Sequence, residues 1–289
     1  MSEPGVITSR VPFEDYTAVE AMNISRLKEL ARSPQHFRYA IDHPKESAPL
    51  SLGRAAHCAV LEPERFSREF AIWDRRSGKT GNLCPRNGQY WDAFQVANPG
   101  KTIINADERD DAMAIQKAVR GEPLAMRYLE SGEPEVTMEW TTGEQWGLIP
   151  RRCKGRIDWL TRIESVPYLV GLKTARDCRP FVFGSAAAKL GYALQWAWYL
   201  DGYFEITHKL PKIVEIVVES GPPHAVIVYR IEDDILVEGR DKYLELLKIL
   251  AECEDSGVWP GPAQGEQVLT LPSWYYQVHD DVSDLGLVA

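Results

Sequence analysis

The sequence predicts a single α/β domain built on a central mixed sheet with helices on both faces. Three observations carry that expectation. Short runs at 135–140, 153–160 and 168–174 alternate or cluster apolar residues like paired strands. Helical periodicity precedes and follows them at 51–61, 107–129, 181–203 and 233–253. Two further strands, Ile213 to Glu219 and Ala225 to Arg230, are joined by Gly221-Pro222-Pro223.

Taken in order, residues 1–21 read as a loosely ordered leader broken by Pro4-Gly5 and Pro12, and 22–289 as the domain itself. Asn23 or Ser25 is placed to cap a helix through Leu27, Leu30 and Ala31; Ser33-Pro34 ends it and caps the next, with Phe37 and Tyr39 following. Ser51 to Leu61 is a small-residue helix with Leu52, Ala56, Ala59 and Val60 on one side, closed by Glu62-Pro63. His57 lies within it and by itself reads as a packing residue.

Trp73 to Gly100 is the least regular stretch. Its Gly78-Lys79-Thr80 is not a phosphate loop, because Trp73 stands where the first glycine is required and no strand leads in; a basic loop able to touch a DNA backbone and a plain surface loop both fit. Asp107 to Leu129 is helical with Ala112, Ile115, Val119 and Leu124 inward. Glu135 to Trp140 then alternates as a strand and leads, by a turn at Thr142-Gly143, to another at Trp146 to Pro150. Glu135 or Glu139 is either an extra acid near a site or a solvated strand-edge charge. Phe181 to Tyr203 reads as one long helix with Gln195 and Tyr199 on one face, which Lys189 and Tyr192 can join, and Asp233 to Cys253 as a helix with Leu236, Tyr243, Leu246, Leu247 and Leu250 inward.

Composition narrows the class. Of 289 residues, 44% are hydrophobic and 26% charged, ordinary for a globular chain. The N-terminus is interrupted by charge and no apolar run approaches the ~20 residues of a membrane span, so a soluble cytoplasmic protein with no membrane partner is expected. The net charge of -9 argues against a surface coated with nucleic acid, yet 151–179 holds eight Lys or Arg against three acids. That fits a recessed channel for a polyanion, or a solvated basic face. The cysteines at 58, 84, 153, 178 and 253 are scattered, which excludes a zinc or iron–sulfur framework.

The chemistry concentrates in Gly155-Arg156-Ile157-Asp158 and Val170-Gly171-Leu172-Lys173-Thr174, separated by turn residues Glu164 to Pro167. Paired as a hairpin, these strands bring Asp158 beside Lys173. A carboxylate that holds a metal, next to an ammonium, is what Mg²⁺-assisted phosphodiester hydrolysis needs.

This ordered set, with Gln195-x-x-x-Tyr199, the N-terminal Asn23-Ile24-Ser25-Arg26-Leu27-Lys28 and Ser33-Pro34, and Gly53-Arg54-Ala55-Ala56-His57, resembles the PD-(D/E)XK nuclease superfamily. More narrowly it resembles the RecE-like exonucleases, across most of 20–275; Trp259-Pro260-Gly261 and Leu271-Pro272-Ser273-Trp274-Tyr275 also match. The resemblance implies a restriction-endonuclease-like fold and a metal-dependent DNA exonuclease acting on linear double-stranded ends in recombination. It implies Mg²⁺ (or Mn²⁺) held by His57, Asp158 and the Leu172 carbonyl, with Lys173 serving the attacking water. Gln195, Tyr199, Arg156 and Thr174 would lie against substrate. A ring-shaped homo-oligomer supplying a single-strand annealing protein, in a bacterial host, is further implied.

One position departs from the pattern. Where the family carries Asp or Glu two residues before the lysine, this chain has Gly171, which offers no side-chain oxygen to a cation. The sequence thus predicts an impaired or inactive nuclease, or alternatively a non-catalytic DNA-end or partner-binding module that retains the fold.

Overall fold

A computed structural model describes residues 5–43, 51–142 and 146–271. In chain order the elements are β1 (Val6–Thr8), α1 (Phe13–Ala18), β2 (Met22–Asn23), α2 (Ile24–Leu30), α3 (Pro34–Asp42), α4 (Ser51–Leu61), α5 (Phe66–Glu69), β3 (Phe70–Trp73), α6 (Gln89–Ala97), β4 (Thr102–Asn105), α7 (Ala106–Gly121), α8 (Pro123–Leu129), β5 (Glu133–Thr142), β6 (Arg151–Ile163), β7 (Val166–Ala175), α9 (Pro180–Lys189), α10 (Tyr192–Thr207), β8 (Lys212–Glu219), β9 (Val226–Arg230) and α11 (Asp233–Ser256).

The main sheet runs β1-β5-β6-β7-β8-β9, with β2 added in parallel to β6, and β3 and β4 form a small parallel pair of their own. β5, β6 and β7 are an antiparallel meander, while β8 lies parallel to β7 after the crossover through α9 and α10. The sheet is therefore mixed, as expected, and the two-residue pitch of each strand divides its side chains between two layers. On one face Leu169, Ile213 and Val217 pack with α10 and α11; on the other Val170, Leu172, Val214, Ile216 and Val218 pack with α4 and α7. The hairpin between β6 and β7 turns on Glu164 and Ser165, both in the left-handed region (φ 50° and 69°), the twist that a two-residue hairpin loop demands.

The caps follow their local chemistry. The Asn23 side chain accepts from the Arg26 N–H at 2.8 Å and that of Ser33 from the His36 N–H at 3.2 Å, so Asn23 rather than Ser25 starts α2.

Several expectations are corrected. Residues 5–21 do not form a loose leader: β1 pairs with β5, and the buried Lys154 ammonium donates to the carbonyls of Tyr16, Thr17 and Val19 at 2.6, 3.3 and 2.8 Å. The expected strand at Trp146 to Pro150 is irregular instead. Asp107 to Leu129 is two helices, since Pro123 has no N–H to continue α7; Leu124 then lies on the outside, 45% exposed. Phe181 to Tyr203 is likewise two helices, divided at Gly191, whose φ of +63° a helix cannot contain. The stretch read as irregular contains α6, whose Trp91 and Phe94 pack edge-on to Trp73.

The turn at Gly143 and the motif from Pro272 to Tyr275 lie outside the described residues. Among the described residues all five cysteines are free, and no helix is long and apolar enough to cross a membrane.

Candidate functional site

The site begins where the β6–β7 ladder ends. Pairing runs from Ile163 opposite Val166 to Trp159 opposite Val170 and then stops. One step further on, Asp158 turns its carboxylate into the gap, and its Oδ2 accepts the Leu172 N–H at 2.8 Å in place of a ladder bond. Lys173 Nζ stands 3.4 Å from that same oxygen and 3.5 Å from the Leu172 carbonyl.

The second acid comes from the neighbouring strand. Gly171 of β7 is the register partner of Glu215 of β8, and in parallel strands such partners share a face. A Cβ at 171 would lie 2.7 Å from both Cδ and Oε2 of Glu215, so the glutamate fits only because residue 171 has no side chain. Glu215 is 1% exposed. Its Oε2 accepts from Trp196 Nε1 at 2.6 Å; its Oε1 lies 3.4 Å from Lys173 Nζ and has no hydrogen-bond partner. A small cavity is lined by Asp158, Gly171, Lys173, Gln195, Tyr199 and Glu215.

Burial and charge act against each other here. Burial alone would raise the Asp158 carboxyl, but Lys173, His57 and the Leu172 N–H together hold it below the usual range. For Glu215 burial prevails and the carboxyl is pushed up, Asp158 adding to the effect and Lys173 opposing it. Burial pulls Lys173 down, yet Asp158 and Glu215 outweigh it and hold the ammonium above its ordinary range. Between two carboxylates the Lys173 ammonium is held in its charged form.

Of the residues read from the sequence, Asp158, Lys173, Gln195 and Tyr199 come together, with Gly171 and Leu172 on β7 between them. Gln195 Nε2 donates to the Tyr199 hydroxyl at 3.1 Å, and burial beside Asp158 pushes the Tyr199 phenol up to about 12. His57, on the α4 side, is near enough to act electrostatically on Asp158 and Glu135. Arg156 pairs with Glu135 and donates to the Val11 carbonyl at 2.9 Å. Thr174 turns toward α4, its Oγ1 3.8 Å from the Cβ position of Gly53.

Glu135 falls opposite Asp158, between the register pairs Pro134–Trp159 and Val136–Ile157, at φ 52°. Burial and the Asp158 charge raise its carboxyl. It is thus not a solvated edge acid but lies close to Asp158, within electrostatic reach of it and of His57. Among the described residues no three His, Cys, Asp or Glu side chains form a ready-made metal cage. The basic excess of 151–179 is largely neutralised within the fold, Arg151 pairing with Glu254, Arg152 with Glu139 and Arg179 with Asp177.

Two site residues escaped the sequence reading. Glu215 lies within Ile213-Val214-Glu215-Ile216-Val217-Val218, and a lone acid in an otherwise apolar central strand was the available signal. Lys28 of α2, quoted only as part of a motif, donates to Gln195 Oε1 at 3.5 Å; no spacing in the sequence connects the two.

Comparison with known proteins adds the following. A family model described as a PDDEXK-like domain of unknown function (DUF3799) matches residues 23–271. No curated protein matches the chain. Among solved structures, the chain is similar to one from Eubacterium rectale described as a "Putative exonuclease", at 15% identity and a TM-score of 0.59, over 95% of this chain and 100% of that one; this is a likeness of fold. SSO0001 (15% identity, 55% of this chain and 79% of that one, TM-score 0.28) and VC1899 from Vibrio cholerae (12%, 86% and 58%, TM-score 0.24) are too distant in shape to carry an argument.

Proposed function

The chain belongs to the PDDEXK-like family DUF3799, and on that premise we propose that it is a metal-dependent nuclease that hydrolyses DNA phosphodiesters. The observation that carries the proposal is the pair of buried carboxylates, Asp158 and Glu215, converging on Lys173 from adjacent sides. The glutamate restores from β8 the acid that Gly171 omits, which favours a working site over a disabled one.

The donor set suits a hard divalent cation. Asp158, the Leu172 carbonyl and the unbonded Oε1 of Glu215 are all oxygens, and a buried carboxylate oxygen without a donor is the kind of atom a cation satisfies. These residues would hold Mg²⁺, or Mn²⁺, with His57 beside them. When bound, the cation would supply an activated water and offset charge on the phosphate.

The chain's own groups do the rest. Trp196 fixes the Glu215 carboxylate through its indole N–H. The Leu172 N–H fixes Asp158. Lys173 Nζ presents positive charge and protons to a phosphate oxygen or to the leaving oxygen. Gln195 and Tyr199, bonded to each other, orient the strand. Exonucleolytic digestion of linear duplex DNA from its ends, as in RecE-like enzymes, is the finer reading, with a ring-shaped homo-oligomer, an annealing protein and a bacterial cytoplasm as its setting.

The test is degradation of linear duplex DNA with Mg²⁺ by the wild type, Glu215→Gln and Lys173→Ala. Cutting by the wild type and loss in both variants is expected, on the order of 10²-fold or more, the scale of removing one electrostatic contact to a transition state. Undiminished cutting by Glu215→Gln would overturn the assignment of the second acid. Salt-sensitive binding with no cutting by any of the three would establish the non-catalytic DNA-end module instead.

A further inference from the structure

Lys28, on α2, brings a cationic side chain to the cavity rim from outside the sheet. Its Nζ lies 3.5 Å from Gln195 Oε1 and 5.4 Å from the centre of the Tyr192 ring, while Lys173 Nζ lies 5.8 Å from that same ring, so two ammonium groups share one aromatic face. The stem of Lys28 passes over Gly191, where α9 gives way to α10, its Cε and Cδ 3.5 and 3.6 Å from where a Cβ would stand. Among the described residues Lys28 has no carboxylate within ion-pair distance, whereas Lys173 has two. An ammonium held beside a second ammonium with only a neutral amide oxygen as acceptor is electrostatically unsatisfied. Burial and the Lys173 charge together pull it down to about 8.

We infer that Lys28 is a substrate-binding residue, holding a phosphodiester oxygen of the strand being cut, next to the phosphate that Lys173 serves. The inference rests on the nuclease reading and deepens it. A phosphate entering between α2 and α10 meets a donor on each side, Lys28 from one and Lys173 from the other. An anion between the two lysines is attracted by both, and that attraction offsets their mutual repulsion. Gln195 couples the parts, since its amide oxygen accepts from Lys28 and its amide nitrogen donates to Tyr199.

The experiment measures binding of a linear duplex by the full chain, with Ca²⁺ replacing Mg²⁺, over a range of salt concentrations for wild type, Lys28→Met and Lys28→Arg, together with Mg²⁺-dependent cutting and thermal melting of each. Lys28→Met should bind at least tenfold more weakly, with the slope of log K against log salt reduced by about one phosphate, and should melt no lower than wild type. Lys28→Arg should retain most of the affinity. Wild-type cutting accompanied by unchanged affinity and salt slope in Lys28→Met would overturn this inference alone. Lost binding with a lowered melting temperature in Lys28→Met would assign Lys28 to packing and overturn it too. A wild type that neither binds nor cuts DNA would overturn the nuclease reading together with the inference built on it.

Discussion

Gly171 and Glu215 are register partners on β7 and β8, and the Glu215 carboxylate occupies the space that a side chain at 171 would take. Supplying the acid that the usual motif has at 171 should therefore harm this protein. Gly171→Asp is expected to lose about 1–3 kcal/mol of stability through overpacking and to cut more slowly than wild type. The double variant Gly171→Asp/Glu215→Gly should recover the fold and part of the cutting, because the acid has only been moved across the strand pair. Thermal melts and Mg²⁺-dependent digestion, run side by side, decide the matter. A Gly171→Asp variant as stable and active as wild type would refute the steric account.

A second prediction concerns pH. Lys28 is pulled down to about 8 by burial and by Lys173, with Glu215 acting in the opposite sense. In the unfolded chain it titrates near its ordinary value, about 10.4. Between those values the unfolded state binds more protons than the folded one, so this group's contribution to stability is present above the ordinary value and is lost as pH falls through about 8. The loss is on the order of 2 kcal/mol once partial exposure is allowed for. Denaturant midpoints from pH 7 to 10.5 should rise more steeply for wild type than for Lys28→Met. Parallel profiles would show that the lysine is not strained.

Lys154 yields a third. Its ammonium ties three carbonyls of residues 16–19 to β6, and Arg156 adds the carbonyl of Val11. Lys154→Met leaves the carbonyls of Tyr16, Thr17 and Val19 unpaired or hydrated, at a cost of about 2 kcal/mol. Proteolysis should begin within residues 5–21 at protease concentrations that spare the wild type. Equal resistance in the variant would mean that β1 and the Arg156 bond to Val11 suffice to fasten the segment.

The strands and most helices were legible because their burial follows period: Ala112, Ile115 and Val119 are all fully buried, as their spacing requires. The helix breaks were less so, because Pro123 and Gly191 lie inside periodic runs and the local backbone rule prevailed over the pattern. The docking of residues 5–21 was hidden, since what holds it is a lysine that composition would leave in solvent. For the site, the meeting of Asp158 and Lys173 could be read from the hairpin spacing, and Gln195 and Tyr199, which spacing puts on one helix face, were tied to it by the family resemblance. Glu215 and Lys28 could not be read so, because each reaches the cavity through a tertiary relationship: β8 pairing with β7, and α2 packing beside α10. Arg156 is engaged by Glu135, a partner that no local spacing in the sequence indicates.

The β7–β8 pairing also dictates when the proposed chemistry can first exist during the life of the chain. Asp158 and Lys173 meet through a hairpin closed by two residues, an early and local event. Glu215 joins them only after α9 and α10 have been made and β8 has been laid alongside β7, the kind of distant pairing that forms slowly. A ribosome-bound or truncated chain ending before β8 thus holds an aspartate and a lysine but lacks the second acid. Competence to cut would be withheld until synthesis of the sheet is nearly complete, sparing nearby DNA from half-made enzyme.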